Sequence, residues 1–182
     1  MHVELKSVMK LNRLLLLAPF LTACGLIPLP EQTGNDFHVI NELGALQASQ
    51  VAYLNSNQLE YLKIPKLSYR DVTFEAAATY LGESKQLRVQ LFALNHSPNC
   101  PFVEAKQEGY GGAYLCDGTG GGQYLTELLL NPDKPLPIIL KNPILDQAVR
   151  DGTLYLGARI LEGQLGFGER VEFTNIRFRG RL

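Results

Sequence analysis

Apolar and polar residues alternate along much of the chain from residue 58 onward. The clearest run is residues 86–94, where Leu87, Val89 and Leu91 point to one side and the polar residues between them point to the other. This period of two predicts a strand with one buried face, as in an antiparallel sheet. Turn-forming residues at 82–85 precede it, so the sequence predicts a hairpin that pairs residues 72–81 with residues 86–94.

Shorter runs predict further strands at 58–64, 113–116, 123–130, 137–140, 153–161 and 170–179. One helix is predicted after Asn142, which is a good N-cap, with Pro143 at its first position and Gly152 as its end. Residues 37–56 fit two interpretations, either a short helix around Ala45–Val51 or a first strand at Val39–Ile40. Many short strands with one short helix predict an all-β fold. The type favoured is an antiparallel β-sandwich, jelly-roll or immunoglobulin-like, with a closed barrel as the alternative.

The strand at 170–179 changes phase along its length. Val171 and Phe173 alternate in one phase and Ile176 and Phe178 in the other, which predicts a β-bulge near residues 174–175. The bulge places three arginines, Arg177, Arg179 and Arg181, on one face. This basic stripe could contact anionic headgroups or glycan phosphates. The favoured alternative is a solvated edge strand that its charges protect from aggregation.

The N-terminus has the pattern of a secretory signal peptide. Basic residues at 10 and 13 precede an apolar stretch at 14–23 that is about half the length needed to span a bilayer. Residues 1–8 add nothing that a signal peptide needs, so translation could begin at Met9. The stretch ends in the tetrad Leu21-Thr22-Ala23-Cys24, which resembles the lipobox of bacterial lipoproteins.

The resemblance implies a diacylglycerol thioether on Cys24, cleavage just before that residue, and acylation of the new N-terminus. More than one acyl chain gives stable anchoring. The alternative is an ordinary secreted protein in which Cys24 is incidental. Gly25 stands where the retention signal of inner-membrane lipoproteins has Asp, so the outer membrane is favoured if the host has two membranes.

Three segments follow from this N-terminus. Residues 1–23 are predicted to be a signal peptide, residues 24–36, rich in Pro, Gly and polar residues, a flexible tether, and residues 37–182 a single β-sandwich domain. The twelve residues of the tether that follow Cys24 would reach at most about 40 Å. The formal net charge of −1 gives no indication of nucleic-acid binding and does not point to any other class of partner.

Two cysteines remain in the mature chain, Cys100 and Cys116. Export to an oxidising compartment makes a disulfide between them the favoured prediction. A metal site that also uses His96 and Asp117 is an alternative, although the usual zinc-ligand spacings are missing. Free thiols are a third.

Glycine-rich segments at 109–112 and 118–122 resemble phosphate-binding loops only in composition, because neither has the sequence of a nucleotide-binding motif. We expect their glycines to supply positive φ angles in turns near the cysteines. Three tyrosines among them, Tyr110, Tyr114 and Tyr124, could form a binding face for a glycan or a protein. Packing within the fold is the favoured alternative for these side chains.

No catalytic residue, metal ligand or cofactor site is predicted. His38 and His96 lie in no nucleophile motif, and no serine lies in a hydrolase elbow. The leading hypothesis is a lipid-anchored, non-enzymatic binding or structural module of the cell envelope. Its partners would be the membrane, through the lipid on Cys24, and an envelope protein or glycan. The alternative is a small hydrolase of glycans or peptidoglycan that uses two of the carboxylates of Glu104, Glu108, Asp117 and Glu127.

Overall fold

The computed structural model describes residues 28–40, 49–62, 64–65, 67–104, 112–166 and 168–182. Within these ranges the chain forms eleven strands and one helix. In chain order they are β1 (Pro28–Thr33), β2 (Phe37–Ile40), β3 (Gln50–Leu54), β4 (Arg70–Leu81), β5 (Leu87–Leu94), β6 (Phe102–Val103), β7 (Ala113–Asp117), β8 (Gln123–Leu130), β9 (Leu136–Lys141), α1 (Pro143–Asp151), β10 (Tyr155–Glu162) and β11 (Arg170–Arg181).

The strands form two antiparallel sheets. The five-stranded sheet has the order β1-β11-β4-β9, with β2 also paired to β11. The six-stranded sheet has the order β6-β7-β3-β10-β5-β8. The predicted all-β sandwich with one short helix is therefore confirmed, and the two separate sheets exclude the closed barrel. The strands predicted at 113–116, 123–130, 137–140, 153–161 and 170–179 correspond to β7, β8, β9, β10 and β11.

The main core lies between the two sheets. Along β4, every second side chain from Val72 to Tyr80 is buried, and on β5 Leu87, Val89 and Leu91 face them from the other sheet. The helix α1 adds Leu145 and other apolar residues to the same core. The alternation of apolar and polar residues that predicted half-buried strands therefore also identifies the side chains that form the core between the two sheets.

The predicted bulge on β11 is confirmed. The register of β11 against β4 shifts between Thr174 and Arg177, and Asn175 has a φ of 56°. Because the extra residue changes the phase of the strand, Phe173 and Ile176 both point into the core. The bulge also separates β2 from β1 along one side of β11, and the N–H of Asn175 donates to Oδ1 of Asp36 at 3.0 Å.

The tether predicted for residues 24–36 is wrong from residue 28 onward. Residues 28–33 form β1, and Pro28 lies opposite Arg181 of β11. Prolines had favoured a tether, but an edge strand tolerates them because only one of its sides has to pair. The contact between this segment and β11 extends to Gly34, whose N–H donates to the carbonyl of Ile176 at 3.0 Å. Residues 24–27 lie outside the described ranges.

The predicted hairpin between residues 72–81 and 86–94 is also wrong. Both strands exist, but β4 pairs with β9 and β11, whereas β5 pairs with β8 and β10. The turn at 82–85 instead carries the chain from one sheet to the other. Glu169 holds it there, since its carboxylate accepts from the N–H of Glu83 at 2.6 Å and from the hydroxyl of Tyr80 at 3.0 Å.

The Glu169 carboxylate also accepts from the N–H of Gly166 at 2.7 Å. These hydrogen bonds, chiefly the one from the N–H of Glu83, lower the pKa of Glu169, while burial opposes them. Glu169 thus joins the turn at 82–85 to the loop between β10 and β11.

No strand forms at 58–64 among the residues that the structure describes there, although the sequence predicts one; residues 58–61 make a turn instead. The side chain of Asn57 explains the difference, because its Oδ1 accepts from the N–H of Leu59 at 3.0 Å and of Leu154 at 2.9 Å. Its Nδ2 donates to the carbonyl of Gly152 at 2.9 Å. An Asn side chain that bonds to the backbone two residues on favours a turn over a strand.

The predicted helix is confirmed with its ends. Oδ1 of Asn142 accepts from the N–H of Ile144 at 3.0 Å, and Gly152 ends α1 in the left-handed region with a φ of 73°. Of the two interpretations of residues 37–56, the strand at Val39–Ile40 is confirmed as part of β2. Val51 lies in β3, and residues 41–48, where most of the alternative helix would fall, lie outside the described ranges.

Candidate functional site

A row of aromatic residues crosses the outer face of the six-stranded sheet. Residues directly opposite each other on antiparallel strands point to the same face, so a chain of such pairs marks one row. One row runs through all six strands and contains five aromatic residues and one glycine. In spatial order its members are Phe102, Tyr114, Tyr53, Gly157, Phe92 and Tyr124.

Gly157 makes room for the buried centre of this aromatic row. A Cβ on Gly157 would lie 2.6 Å from ring atoms of Tyr53, so only glycine allows the ring to lie across the strand there. On the other side of Gly157 the ring of Phe92 packs under the guanidinium of Arg159, whose Cζ is 5.0 Å from the ring centroid. Burial raises the pKa of Tyr53 far above its ordinary value, and the charge of Arg159 offsets part of this effect.

The second glycine-rich segment lies over the centre of the row. The hydroxyl of Tyr53 donates to the carbonyl of Thr119 at 2.6 Å. Gly120 has a φ of 57°, and a Cβ at that position would lie 2.6 Å from the Cβ of Cys116. The prediction that these glycines supply positive φ angles near the cysteines is therefore confirmed for Gly118, Gly120 and Gly121.

The disulfide between Cys100 and Cys116 is confirmed, with a Cα–Cα distance of 5.2 Å. It joins the segment after β5 to β7 and belongs to a small apolar cluster on the outer face that includes Val51, Tyr53 and Phe92. The metal alternative needed both thiolates as ligands and is excluded by this bond. His96 instead makes a hydrogen bond between its Nδ1 and the carbonyl of Ser97 at 2.9 Å.

The two ends of the aromatic row remain open to solvent. Phe102 is 45% exposed at one end and Tyr124 is 50% exposed at the other, while Tyr53 and Phe92 between them are buried. Tyr114 is half-buried against the rings of Phe102 and Tyr155, at centroid distances of 5.2 and 6.5 Å.

Of the three tyrosines proposed for a binding face, Tyr114 and Tyr124 thus lie on the same face of the sheet but do not touch each other. Four inter-strand spacings, or about 19 Å, separate their strands. Tyr110 lies outside the described ranges. Tyr53 and Phe92, which join the two halves of the row, were not predicted. The one sequence feature that could have indicated them is Gly157, because an isolated glycine within an alternating strand suggests that neighbouring atoms approach closely.

A polar network runs beside the aromatic row on the same face. Arg159 donates to Oε1 of Gln90 at 2.9 Å, and Nε2 of Gln90 donates to Oε2 of Glu127 at 3.2 Å. Arg88 then bridges two carboxylates, lying 3.2 Å from Glu127 and 3.1 Å from Glu162. The face therefore combines aromatic rings with hydrogen-bonding groups in fixed positions.

The carboxylates proposed for a hydrolase are not brought together. Asp117 accepts a hydrogen bond from Gln50 at 3.1 Å on β7, and Glu127 is held by Arg88 and Gln90 on β8. Three strands separate β7 from β8 in the sheet. Glu104 is exposed just after β6, and Glu108 lies outside the described ranges.

His38 is exposed on β2, which belongs to the five-stranded sheet. Asp117 and Glu127 belong to the six-stranded sheet, so His38 does not share a sheet with them. Within the described part of the chain, no group of three or more His, Cys, Asp or Glu residues could hold a metal ion.

The predicted basic stripe of Arg177, Arg179 and Arg181 lies on the outer face of the five-stranded sheet. Glu31 of β1 lies 3.6 Å from Nε of Arg177 and 2.7 Å from Nη2 of Arg179, which also contacts Glu75 at 3.1 Å. Arg181 pairs with an aspartate at the start of β4. The prediction that these arginines lie on a solvated edge strand is wrong. Strand β11 lies between other strands, and carboxylates of those strands face the arginines.

The helix α1 has nine residues, and in the ranges that the structure covers no helix is long and apolar enough to cross a bilayer. No protein-family model matches the chain. No curated protein matches it significantly either.

Proposed function

We propose that the protein is a lipoprotein of the cell envelope, anchored through a lipid on Cys24. The support is the basic segment, short apolar stretch and Leu21-Thr22-Ala23-Cys24 tetrad, in that order. The folded domain follows closely, because β1 begins at Pro28. Gly25 favours the outer membrane in a host with two membranes. The disulfide accords with an oxidising compartment.

The proposed activity is non-enzymatic binding of another envelope component, a glycan or a protein, on the outer face of the six-stranded sheet. The observation that carries this proposal is the aromatic row with its two half-exposed ends, Phe102 and Tyr124. Aromatic rings provide large apolar contact area at low entropic cost, and they stack well on flat apolar faces. Gln90 and Glu127 supply hydrogen-bonding groups beside Tyr124.

Binding also needs a surface that is already rigid, because ordering loops and side chains on association weakens affinity. The disulfide and the hydrogen bond from Tyr53 to Thr119 hold the covering loops in place before any ligand arrives. Glu127 and Asp117 serve in hydrogen bonds and ion pairs of the sheet, which supports a binding role over a hydrolytic one.

The anchor is tested by mass analysis of the mature N-terminus with and without globomycin, which blocks lipoprotein signal cleavage. We expect a lipid-modified Cys24 as the first residue, and we expect Cys24→Ser to release or mislocalise the protein. An unmodified N-terminus, together with unchanged membrane retention of the variant, would overturn the proposal.

The binding face is tested with Phe102→Ala combined with Tyr124→Ala. The matched control is Ile139→Ala, which removes a side chain that is 67% exposed on the other sheet. One arm measures sedimentation with protein-free peptidoglycan, and the other measures crosslinking to envelope proteins from a photoreactive residue at position 129, an exposed position opposite Arg88 on the same face. We expect the double variant, but not the control, to lose at least about tenfold in one arm. Equal behaviour of both variants in both arms refutes the proposed face.

A further inference from the structure

One end of the sandwich collects the elements nearest to the proposed lipid. Pro28, at the start of β1, lies opposite Arg181, and Arg181 lies opposite Arg70 at the start of β4. Lys141, at the end of β9, lies opposite Thr73 of β4. We call this the basal end: the starts of β1 and β4, the ends of β9 and β11, and the connection 55–69 that leads into β4.

The basal end lies close to Cys24. Pro28 comes four positions after Cys24, so the connecting chain reaches at most about 14 Å even when fully extended. The predicted tether of twelve residues would have allowed about 40 Å. A lipid on Cys24 therefore keeps the basal end near the headgroups of the bilayer.

The connection 55–69 closes the basal end of the core. Asn57 ties it to Gly152 and Leu154 at the end of α1, and Leu59 and Tyr69 are buried in the main core. Two large side chains of the same connection point outward instead. Tyr61 is 73% exposed and Leu67 is 45% exposed.

Three basic residues lie at the same end of the sandwich as these exposed side chains. Arg70, Lys141 and Arg181 lie at the basal end, and Arg181 and Lys141 line an open depression beside Pro28. Among the described residues of this end, the acidic side chains are those of Glu60, Asp71 and Asp146. Asp71 is paired with Arg181, and Asp146 accepts a hydrogen bond from the N–H of Val72 at 2.8 Å. Arg70 and Lys141, both exposed, thus lie at the end nearest the anchor without an ion pair among the residues that the structure describes.

We propose that the basal end rests on an anionic membrane surface. Tyr61 and Leu67 enter the headgroup region, and Arg70 and Lys141 contact lipid phosphates. Tyrosine and leucine beside basic residues are typical of segments that bind at the bilayer interface. Each basic residue near an anionic leaflet adds to the attraction. The inference rests on the proposed anchor only in that the lipid holds this end at the surface.

The absence of tryptophan from the chain gives a direct test. Tyr61→Trp introduces a single fluorophore at the basal end, and Lys85→Trp introduces one in the exposed turn at the opposite end. Each purified mature protein is reconstituted with phosphatidylcholine vesicles, with or without phosphatidylglycerol and a doxyl-labelled quencher lipid. In phosphatidylglycerol vesicles we expect the emission of the basal fluorophore to shift to shorter wavelength and to be quenched. The fluorophore at the opposite end should emit as it does in water.

Charge reversal separates docking from simple proximity. Arg70→Glu with Lys141→Glu, in the Tyr61→Trp background, should reduce the quenching several-fold, as should high salt. Lys85→Glu with Lys134→Glu, at the opposite end, should leave it unchanged. Equal quenching of the fluorophores at the two ends overturns the inference, as does a basal fluorophore whose quenching is indifferent to charge reversal.

Failure of the anchor is distinguishable from failure of docking. The mass of each tryptophan variant shows whether Cys24 carries lipid, independently of the fluorescence. A protein without lipid refutes the anchor, and the same vesicles added to that protein still report whether its basal end binds. A lipid-modified protein whose basal fluorophore emits as in water refutes docking alone.

Discussion

Replacing Gly157 by Ala should destabilise the protein, although alanine is ordinarily the better residue in a strand. Gly157 sits in β10 between Tyr53 and Phe92 in the aromatic row. A Cβ there would lie 2.6 Å from two ring atoms of Tyr53 and 2.8 Å from a methyl of Val51. Both neighbours are fully buried, so neither can move into solvent to relieve the contact.

Two opposing effects set the size of the change. Overpacking of a buried site costs about 1–3 kcal/mol of unfolding free energy. The lower entropy of the unfolded chain with alanine returns about 0.4–1 kcal/mol. We therefore expect a net loss of about 1–2 kcal/mol, which corresponds to a fall in Tm of about 2–8 °C for a domain of this size.

Urea unfolding of the oxidised protein, followed by circular dichroism, measures this loss. Gly166→Ala is the matched control, because its new Cβ would meet only the side chain of Glu169, at 3.4 Å. The control should unfold at the same urea concentration as the wild type or slightly higher. If Gly157→Ala is as stable as the control, Tyr53 does not need the space above Gly157, and the close packing inferred for the centre of the row is refuted.

Three further predictions concern the supports of the fold. Reducing the bond between Cys100 and Cys116, or replacing both residues by Ser, should lower the unfolding free energy by about 3 kcal/mol in urea titrations; a loss below about 0.5 kcal/mol would contradict its bracing role. Glu169 should confer pH-dependent stability. Because its pKa is lowered in the fold, its carboxylate stabilises the fold above the unfolded pKa of about 4.3, and this stabilisation is lost as pH falls through the lowered pKa. Glu169→Gln should therefore flatten the acid limb of stability against pH, and an unchanged limb would exclude this role. Asn57→Ala should cost about 2–3 kcal/mol, since it removes three hydrogen bonds to backbone groups, whereas Asn57→Asp keeps the two acceptor bonds and should cost less in the same titration.

Features that depend on neighbouring residues were predictable from the sequence. The ends of α1 follow from Asn142 and Gly152, which act within one turn of the helix. The bulge near Asn175 follows from a phase change within a single strand. In both cases the residues that determine the structure lie within a few positions of it.

Features that depend on strand partners were not predictable. Alternation shows which face of β4 is buried but not which strands lie beside it, so the turn at 82–85 suggested a hairpin that does not form. Composition misled at residues 28–33 for a related reason, because the partner that makes a strand of them is β11, far along the chain.

The candidate site shows the same limit. Tyr114 and Tyr124 were identified by their nearness to glycines and cysteines in the sequence. The residues that connect them, Tyr53 and Phe92, come from strands that only the register of the folded sheet aligns. A row of side chains across six strands has no contiguous sequence pattern.

The position of β11 has a consequence for the order in which the chain can fold. This strand is the last of the eleven to be synthesised, yet β1, β2 and β4 all pair with it. The five-stranded sheet can therefore not assemble until residues 170–181 have emerged, and contacts between such distant segments form slowly. Until then β4 keeps an open edge that invites wrong pairing. A chain built in this way acquires the stability of its five-stranded sheet only after its last described strand has been synthesised.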